Sequence, residues 1–227
     1  MKNIFRVFLS ATLIIVLAAY QGFSQKISNI DFDLVKKKTQ DKNSAYYYPV
    51  LIKRFINGDS TLKAQDYGYI YYGYVFSEYY NPYTENEKEK LFAEAYKNAE
   101  FSNAVLLGEE ALLADPVNPG ILFKLLICYD QMGKKAKAKE VARRYFNIIQ
   151  CIYASGDGKS GNTAYVVIRV TDEREVTDDM DLKVLKQSLQ PGNTDLLEME
   201  YPNEKDISAL YFNVSKPMLF LDNQPKK

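Results

Sequence analysis

Apolar positions recur along this chain in blocks of different period, and each block predicts an element. From Gln25 to Ser44 the sequence is polar and lysine-rich ("VKKKTQDKNS"), with Ile27, Ile30, Phe32 and Leu34 as isolated apolar anchors. Residues 25–48 therefore read as an extended lead-in. "PVLIKRFIN" places Val50, Leu51 and Phe55 on a short helix from Pro49 to Asn57, because proline suits a first helical turn and Gly58 supplies the stop. The next stretch, "QDYGYIYYGYVFSEYYNPY", alternates at Tyr67, Tyr69 and Tyr71 as a strand would. It nevertheless stays apolar to Phe76 with no polar face, and Asp66 sits where a helix start favours an acid. This predicts a helix from Ala64 to Tyr80, ended by Asn81-Pro82. Being apolar nearly all round, it should be sandwiched, with rings buried and hydroxyls paired. Gly68 and Gly73 each cost such a helix roughly 1 kcal/mol unless a neighbour packs closely against them. Tyr79, Tyr80 and Tyr83, at its end, are the candidates for aromatic contact with an outside partner.

The clearest organisation is a self-similarity at an offset of 34 residues, with Leu91 on Leu125, Phe92 on Leu126, Ala104 on Ala138 and Gly108 on Ala142. Thirty-four is the period of tetratricopeptide repeats, which the region from Glu85 to about Gln150 resembles. In the second copy Leu125, Leu126, Tyr129, Gly133, Ala138 and Ala142 stand at the bulky, bulky, aromatic, glycine, small and small positions. The first copy departs, with Ala95 for the aromatic and Ala99 for the glycine. The resemblance implies antiparallel helical hairpins there, and with the two preceding helices a helical-hairpin domain over residues 49–155. It implies a groove lined by Glu89, Ala93, Tyr96 and Lys97 from one repeat and by Phe123, Ile127, Asp130 and Gln131 from the next. In that register Cys128 lies near the turn and Cys151 at the far end of the second helix. They are then about 10 Å apart, against at most about 7 Å between Cα atoms for a disulfide. Two free thiols are expected.

Beyond Ser155 the period changes. "SGDGKSGN" reads as a flexible Gly/Ser linker and domain boundary, and "TAYVVIRVT" as a strand with Val166, Ile168 and Val170 on one face. "TDDMDLKVLKQSL" predicts a short helix capped by Thr177 or Asp178. "TDLLEMEY" and "ISALYFNV" predict strands with Leu197, Met199, Tyr201 and then Leu210, Phe212, Val214 inward, and "PMLFL" trails behind. The fold class is thus α+β, a helical-hairpin array followed by a β-α-β-β appendage over residues 163–221.

Composition and the N-terminus narrow the chemistry. Lys2 and Arg6, the apolar run "VFLSATLIIVLAAY" and the polar "QGFSQK" follow the order of a secretory signal peptide, with cleavage expected between Ser24 and Gln25. The run is short for a membrane span. "LAAY" has a tyrosine where a lipoprotein box needs cysteine, so the expectation is a soluble exported protein, periplasmic or secreted, without a lipid anchor. Of 29 basic residues, Lys2 and Arg6 leave with the leader, and the remaining 27 face 29 acids. So balanced a surface argues against nucleic acid as a partner. The chain has no histidine, which removes the commonest general base and every Ser-His or Cys-His arrangement. No catalytic residue, metal ligand or cofactor is assigned.

Three motifs invite chemistry and resist it. Gly158-Lys159-Ser160 ends like a phosphate loop, but Tyr153 stands where the first glycine belongs and the flanking elements come in the wrong order. "TDEREVTDDMD" gathers Asp172, Glu173, Glu175, Asp178, Asp179 and Asp181 without the glycine and bidentate glutamate of a calcium loop, and reads as solvated acids at a helix start. "KKAKAKEVARR" reads as the outer face of a helix.

"YYYPVLIKRFINGDSTL", "DYGYIYYGYVFSEYYNP", "SGDGKSGNTAYVVIRVTDE" and "LYFNVSKP" together resemble a family of exported proteins of Gram-negative bacteria, Domain of Unknown Function 4919. The resemblance implies export and a shared architecture over nearly the whole mature chain, and no activity. "TDERE" departs from the acid-aromatic ending expected there and receives no role. Three functions remain: a non-catalytic module binding a protein or peptide in the helical groove, a glycan binder using exposed tyrosines, and a carboxylate-based envelope hydrolase. The last requires a cleft holding a close carboxyl pair with perturbed pKa values.

Overall fold

The computed structural model describes residues 30–83 and 87–223. The signal sequence and the cleavage position between Ser24 and Gln25 lie outside them. Nine helices and one four-stranded sheet are described, the helices mostly first and the sheet last, an α+β organisation with a helical array followed by a β appendage.

The lead-in is a helix rather than an extended segment. α1 runs Phe32–Gln40, and the Asp31 side chain accepts from Leu34 N–H at 2.8 Å as its N-cap. A polar sequence suffices here because only one narrow face is used: Val35 and Thr39 are buried, and the Phe32 ring meets Tyr72 edge-on at 5.8 Å. α2, Tyr48–Ile56, begins one residue earlier than expected and buries Leu51 and Phe55 completely.

The tyrosine-rich helix is α3, Ala64–Gly73, continued by a single 3-10 turn over Tyr74–Phe76 and not to Tyr80. The helix tightens at Gly73, where a Cβ would lie 2.9 Å from Thr39 and 3.0 Å from the Tyr48 ring. Gly68 by contrast faces open space. Tyr67, Tyr71, Tyr72 and Tyr74 are buried, as the absence of a polar face requires. The hydroxyls of Tyr71 and Tyr72 knit the two halves together, whereas that of Tyr67, against the expectation that all would be paired, has no hydrogen-bond partner among the described residues. Tyr72 Oη lies 3.2 Å from the Cys151 carbonyl and 3.1 Å from that of Val166, and Tyr71 donates to Asp172 at 2.6 Å.

Two helical hairpins follow, α4 (Glu87–Lys97) with α5 (Phe101–Ala114), and α6 (Pro119–Gln131) with α7 (Lys135–Ser155). The turn of each places one residue in the left-handed region, Ala99 at φ 57° and Gly133 at φ 71°, 34 positions apart. Ala99 thus adopts the glycine conformation without being glycine. Asn118 caps α6 by accepting from Ile121 N–H at 3.2 Å. Gly108 lets the hairpins close on each other, since a Cβ there would sit 2.8 Å from Leu125 and 2.9 Å from Phe92. Gly108→Ala is expected to cost about 1–3 kcal/mol in urea unfolding, the usual penalty of overpacking; an unchanged midpoint would show that Leu125 yields freely. Cys128 and Cys151 are free and buried.

In the sheet, β1 (Tyr165–Val166) runs parallel to β4 (Ala209–Asn213), which pairs antiparallel with β3 (Thr194–Met199) and that with β2 (Val184–Gln190), in the order β1-β4-β3-β2. β1 keeps two residues of the expected longer strand. The helix expected over 177–189 lies earlier, as α8, Asp172–Asp179, and its second half is the edge strand β2. Leu185 and Leu189 face solvent on that edge, so their spacing carried no core signal. β3 and β4 run as expected, with Leu197, Met199, Leu210, Phe212 and Val214 inward, but Tyr201 is exposed. "PMLFL" lies in a final helix, α9, Ser215–Asp222. The "SGDGKSGN" segment is a pinned turn and not a flexible linker. Asp157 and Gly158 N–H both donate to the Thr163 carbonyl, at 2.9 and 2.8 Å, and the Gly158 carbonyl accepts from Tyr211.

Candidate functional site

The first helices of the two hairpins, α4 and α6, form one wall of a groove, and α8 lies across it. α8 reaches this position because "TDERE" begins a helix instead of ending a strand. Val176 and Thr177, one turn beyond Asp172 and Glu173, are buried with them on the same face. The groove holds two adjoining concavities of about 630 and 620 Å³ that share Lys124, Arg174 and Glu175. The outer one is aromatic, with Tyr96, Phe123, Tyr145 and Phe146 facing Asp178 and Asp179. The inner one is polar at its floor, with Glu173 and Gln187, and has Val170, Val184 and Leu197 as apolar walls. Gly120 lets α8 approach α6, since a Cβ there would meet Glu175 Oε1 at 2.8 Å.

Three expected groove residues lie here, Glu89 in the inner concavity and Tyr96 and Phe123 in the outer. Lys97, Ile127, Asp130 and Gln131 line neither. Lys97 is exposed one residue round the helix from Tyr96, while the other three lie one to two turns beyond Phe123 along α6. Asp130 is engaged by Lys135 at 2.6 Å. Of the three terminal tyrosines, Tyr79 and Tyr83 are exposed but Tyr80 is not. Its hydroxyl donates to the Ile168 carbonyl at 2.7 Å and its ring stacks edge-on with Tyr74 and Phe220, so it offers no outside contact.

The residues missed from the sequence are the buried acids beneath the groove. Asp172 and Glu173 are 1% and 2% exposed, which overturns their reading as solvated acids. Asp172 accepts from Tyr71 and lies 3.5 Å from Arg169, whose guanidinium also pairs with Asp115 at the end of α5. Burial raises Asp172 to about 6 against the pull of Arg169. Arg169 is fully charged: burial works against it, but Asp115 and Asp172 more than compensate. Glu173 is different, having no cation partner among the described residues. Gln187 Nε2 donates to its Oε2 at 3.0 Å and to Asp195 Oδ2 at 2.7 Å, while Oε1, itself closed to solvent, has no hydrogen-bond partner among the described residues. Burial first, and the charge and acceptor of Asp195 second, push Glu173 up to about 9, so it carries a proton at neutral pH. Glu175 is raised to about 7 by burial, with Lys124 opposing.

One signal could have pointed to Glu173, its helical spacing from Val176 and Thr177. The signal became interpretable only once β3 brought Asp195 beside it. The result is a cleft with raised carboxyl groups on its floor. Among the described residues no cluster of acids or cysteines could hold a metal ion, and no helix is long and apolar enough to cross a membrane.

Comparison with known proteins adds a family. The sequence profile of one described as Domain of unknown function (DUF4919) matches residues 33–222. No curated protein and no solved structure matches the chain.

Proposed function

The chain belongs to the family described as Domain of unknown function (DUF4919), and from that premise we propose that it is a non-catalytic interaction module, exported, whose groove between α4, α6 and α8 binds an extended peptide segment of a protein partner. The observation that carries this reading is the convergence of Glu89, Tyr96 and Phe123 on adjoining concavities, with Phe123 39% exposed on a helix otherwise largely buried. Half-exposed aromatics flanked by charges of both signs are the usual makeup of a peptide-contacting surface. Export is supported by the charged, apolar and polar order from Lys2 to Gln25. Binding is favoured over hydrolysis because Glu173 and Asp195 are bridged by one Gln187 amide on the same wall, whereas a hydrolase needs two carboxyls facing each other across the bond they cleave.

A random 12-residue peptide display selected on the chain from Gln25 tests this. Enriched peptides are expected to lose tenfold or more in affinity with Phe123→Ala or Tyr96→Ala, roughly 1.4 kcal/mol or above. Leu185→Ala on the exposed β2 edge should change nothing. Failure to enrich any peptide, or affinities that neither groove substitution moves, would sink the reading.

A further inference from the structure

β2 is the outer strand of the sheet, with β3 on one side and no strand on the other among the described residues. The ladder shows which of its backbone groups are left over. Glu200 N–H donates to the Lys183 carbonyl, whereas Met199 N–H turns the other way, to Ser208 just ahead of β4. Backbone groups alternate along an antiparallel strand, so Glu198, Leu196 and Thr194 also face β2, where their partners are Lys186, Ser188 and Gln190. The N–H and C=O groups of Gln187 and Leu189 therefore point outward, with no backbone partner among the described residues. An edge of this kind is a template for another strand. It is apolar as well: Leu185 is 61% and Leu189 55% exposed, two positions either side of Gln187 on one face of the strand.

The strand's own sequence, "LKQSL" from Leu185 to Leu189, says what pairs with it. Two copies meeting antiparallel about a two-fold axis must set outward-facing residues opposite outward-facing ones, so the axis passes at a residue and not between two. At Lys186 it would oppose two ammoniums. At Ser188 it would set Leu189 against Gln187. At Gln187 it sets Leu185 opposite Leu189 twice and Lys186 opposite Ser188 twice, so apolar side chains meet and no like charges do. The irregularity of the ladder between Val184 and Lys186 falls at the end of this stretch and leaves its centre regular.

We propose that β2 is a homodimer interface, at which two copies of this chain join edge to edge about a two-fold axis at Gln187, making one sheet continuous through both, with Leu185 of each copy against Leu189 of the other. The outward N–H and C=O groups of Gln187 and Leu189 supply the main-chain bonds of the seam. Lys186, which would repel itself with the axis one residue earlier, fixes the register. One short strand covers little area, so the dimer is weak, with a Kd on the order of 10–100 µM. Leu185, Ser188 and Leu189 line neither concavity of the groove, so the seam and the peptide site stand or fall separately.

Sedimentation equilibrium of the full chain, as recovered after export, at concentrations between about 1 µM and 1 mM provides the test. Association to a dimer and no further is expected, since the two-fold pairing uses up the edge. Ser188→Glu sets a carboxylate opposite Lys186 at both ends of the seam and should tighten the dimer roughly three- to tenfold. Ser188→Lys opposes ammoniums at the same two places and should weaken it by a similar factor. Leu189→Pro should abolish the dimer at little cost to the fold, because the N–H it removes is not bonded within the sheet; circular dichroism checks that each variant is folded. A chain still monomeric at 1 mM, or a folded Leu189→Pro variant that dimerises as the native protein does, would overturn the interface. Equal weakening by both Ser188 substitutions would overturn the Gln187 axis, since only an axis at Ser188 sets that residue against itself. The two Ser188 variants decide the matter even if the proline variant does not fold.

Discussion

Glu173→Gln is expected to stabilise the fold at pH 8 by roughly 3–5 kcal/mol while leaving its stability at pH 4 nearly unchanged. The cause is a carboxyl that holds its proton when folded and loses it when unfolded. Its folded pKa of about 9 lies above the ordinary glutamate value of 4.5, raised first by burial and then by Asp195. A raised carboxyl is most stabilising below the unfolded value, and that stability drains away as pH climbs towards the folded one. Each unit in that window costs about 1.4 kcal/mol, so the native protein should lose about 4 kcal/mol between pH 5 and pH 8 from this side chain alone. Asp172, raised to about 6, adds a loss of the same sign between about pH 4 and 6. Glutamine keeps the shape of the neutral acid and carries no charge to bury. Urea unfolding followed by circular dichroism at pH 4, 6 and 8 reads the difference directly. A native protein whose stability is flat or rising over that range, or a glutamine variant weaker than native at pH 8, would mean that Glu173 is ionised in the fold.

Arg169→Met is expected to act in the opposite sense, costing about 3–5 kcal/mol at pH 7. Arg169 is 3% exposed and stands between Asp115 and Asp172, with its guanidinium 5.2 Å from the Tyr74 ring centroid. Three parts of the molecule meet at this ion: the tyrosine helix through Tyr71 and Tyr74, the end of the first hairpin through Asp115, and the start of α8 through Asp172. Removing the cation strands the Asp172 carboxylate where water cannot reach it and leaves the partly exposed Asp115 without its partner. Protonation of Asp172 relieves part of that penalty, so the loss should shrink as pH falls below 6. Adding Asp172→Asn should recover a portion of the stability, because an amide can still accept from Tyr71 without carrying charge. Midpoints of urea unfolding for the single and double variants measure both effects. If the single variant unfolds within 1 kcal/mol of the native protein, the Arg169 network is not what fastens the sheet to the helices.

Much of the helical half was legible from the chain. An apolar block with no polar face must be enclosed, and α3 is. A 34-residue offset with small residues at matching positions calls for paired helices, and two hairpins follow, with Ala99 and Gly133 in equivalent turns. Elements that use one narrow apolar face were harder to see. α1 looked like a linker because its three consecutive lysines outnumber the two residues it buries. β2 looked helical because an edge strand exposes Leu185 and Leu189, so their spacing recorded no burial. At the candidate site, Glu89, Tyr96 and Phe123 followed from helical register, whereas Ile127, Asp130 and Gln131 fell beyond the concavities under α8, whose position the repeat pattern could not supply.

The sequence by itself determined the α+β order, the buried tyrosine helix, the paired hairpins and the exclusion of histidine-based chemistry. These follow from local period and composition, which need no knowledge of distant neighbours. Only the tertiary structure decided the character of "TDERE". Acids are solvated by default, and nothing local distinguishes Asp172 or Glu173 from Asp178. Burial against residues far along the chain does so: Tyr71 and Arg169 take up the charge of Asp172, while Asp195 and Gln187 hold Glu173 as a neutral acid. A carboxyl's charge is a property of its surroundings, and those exist only once the chain has folded.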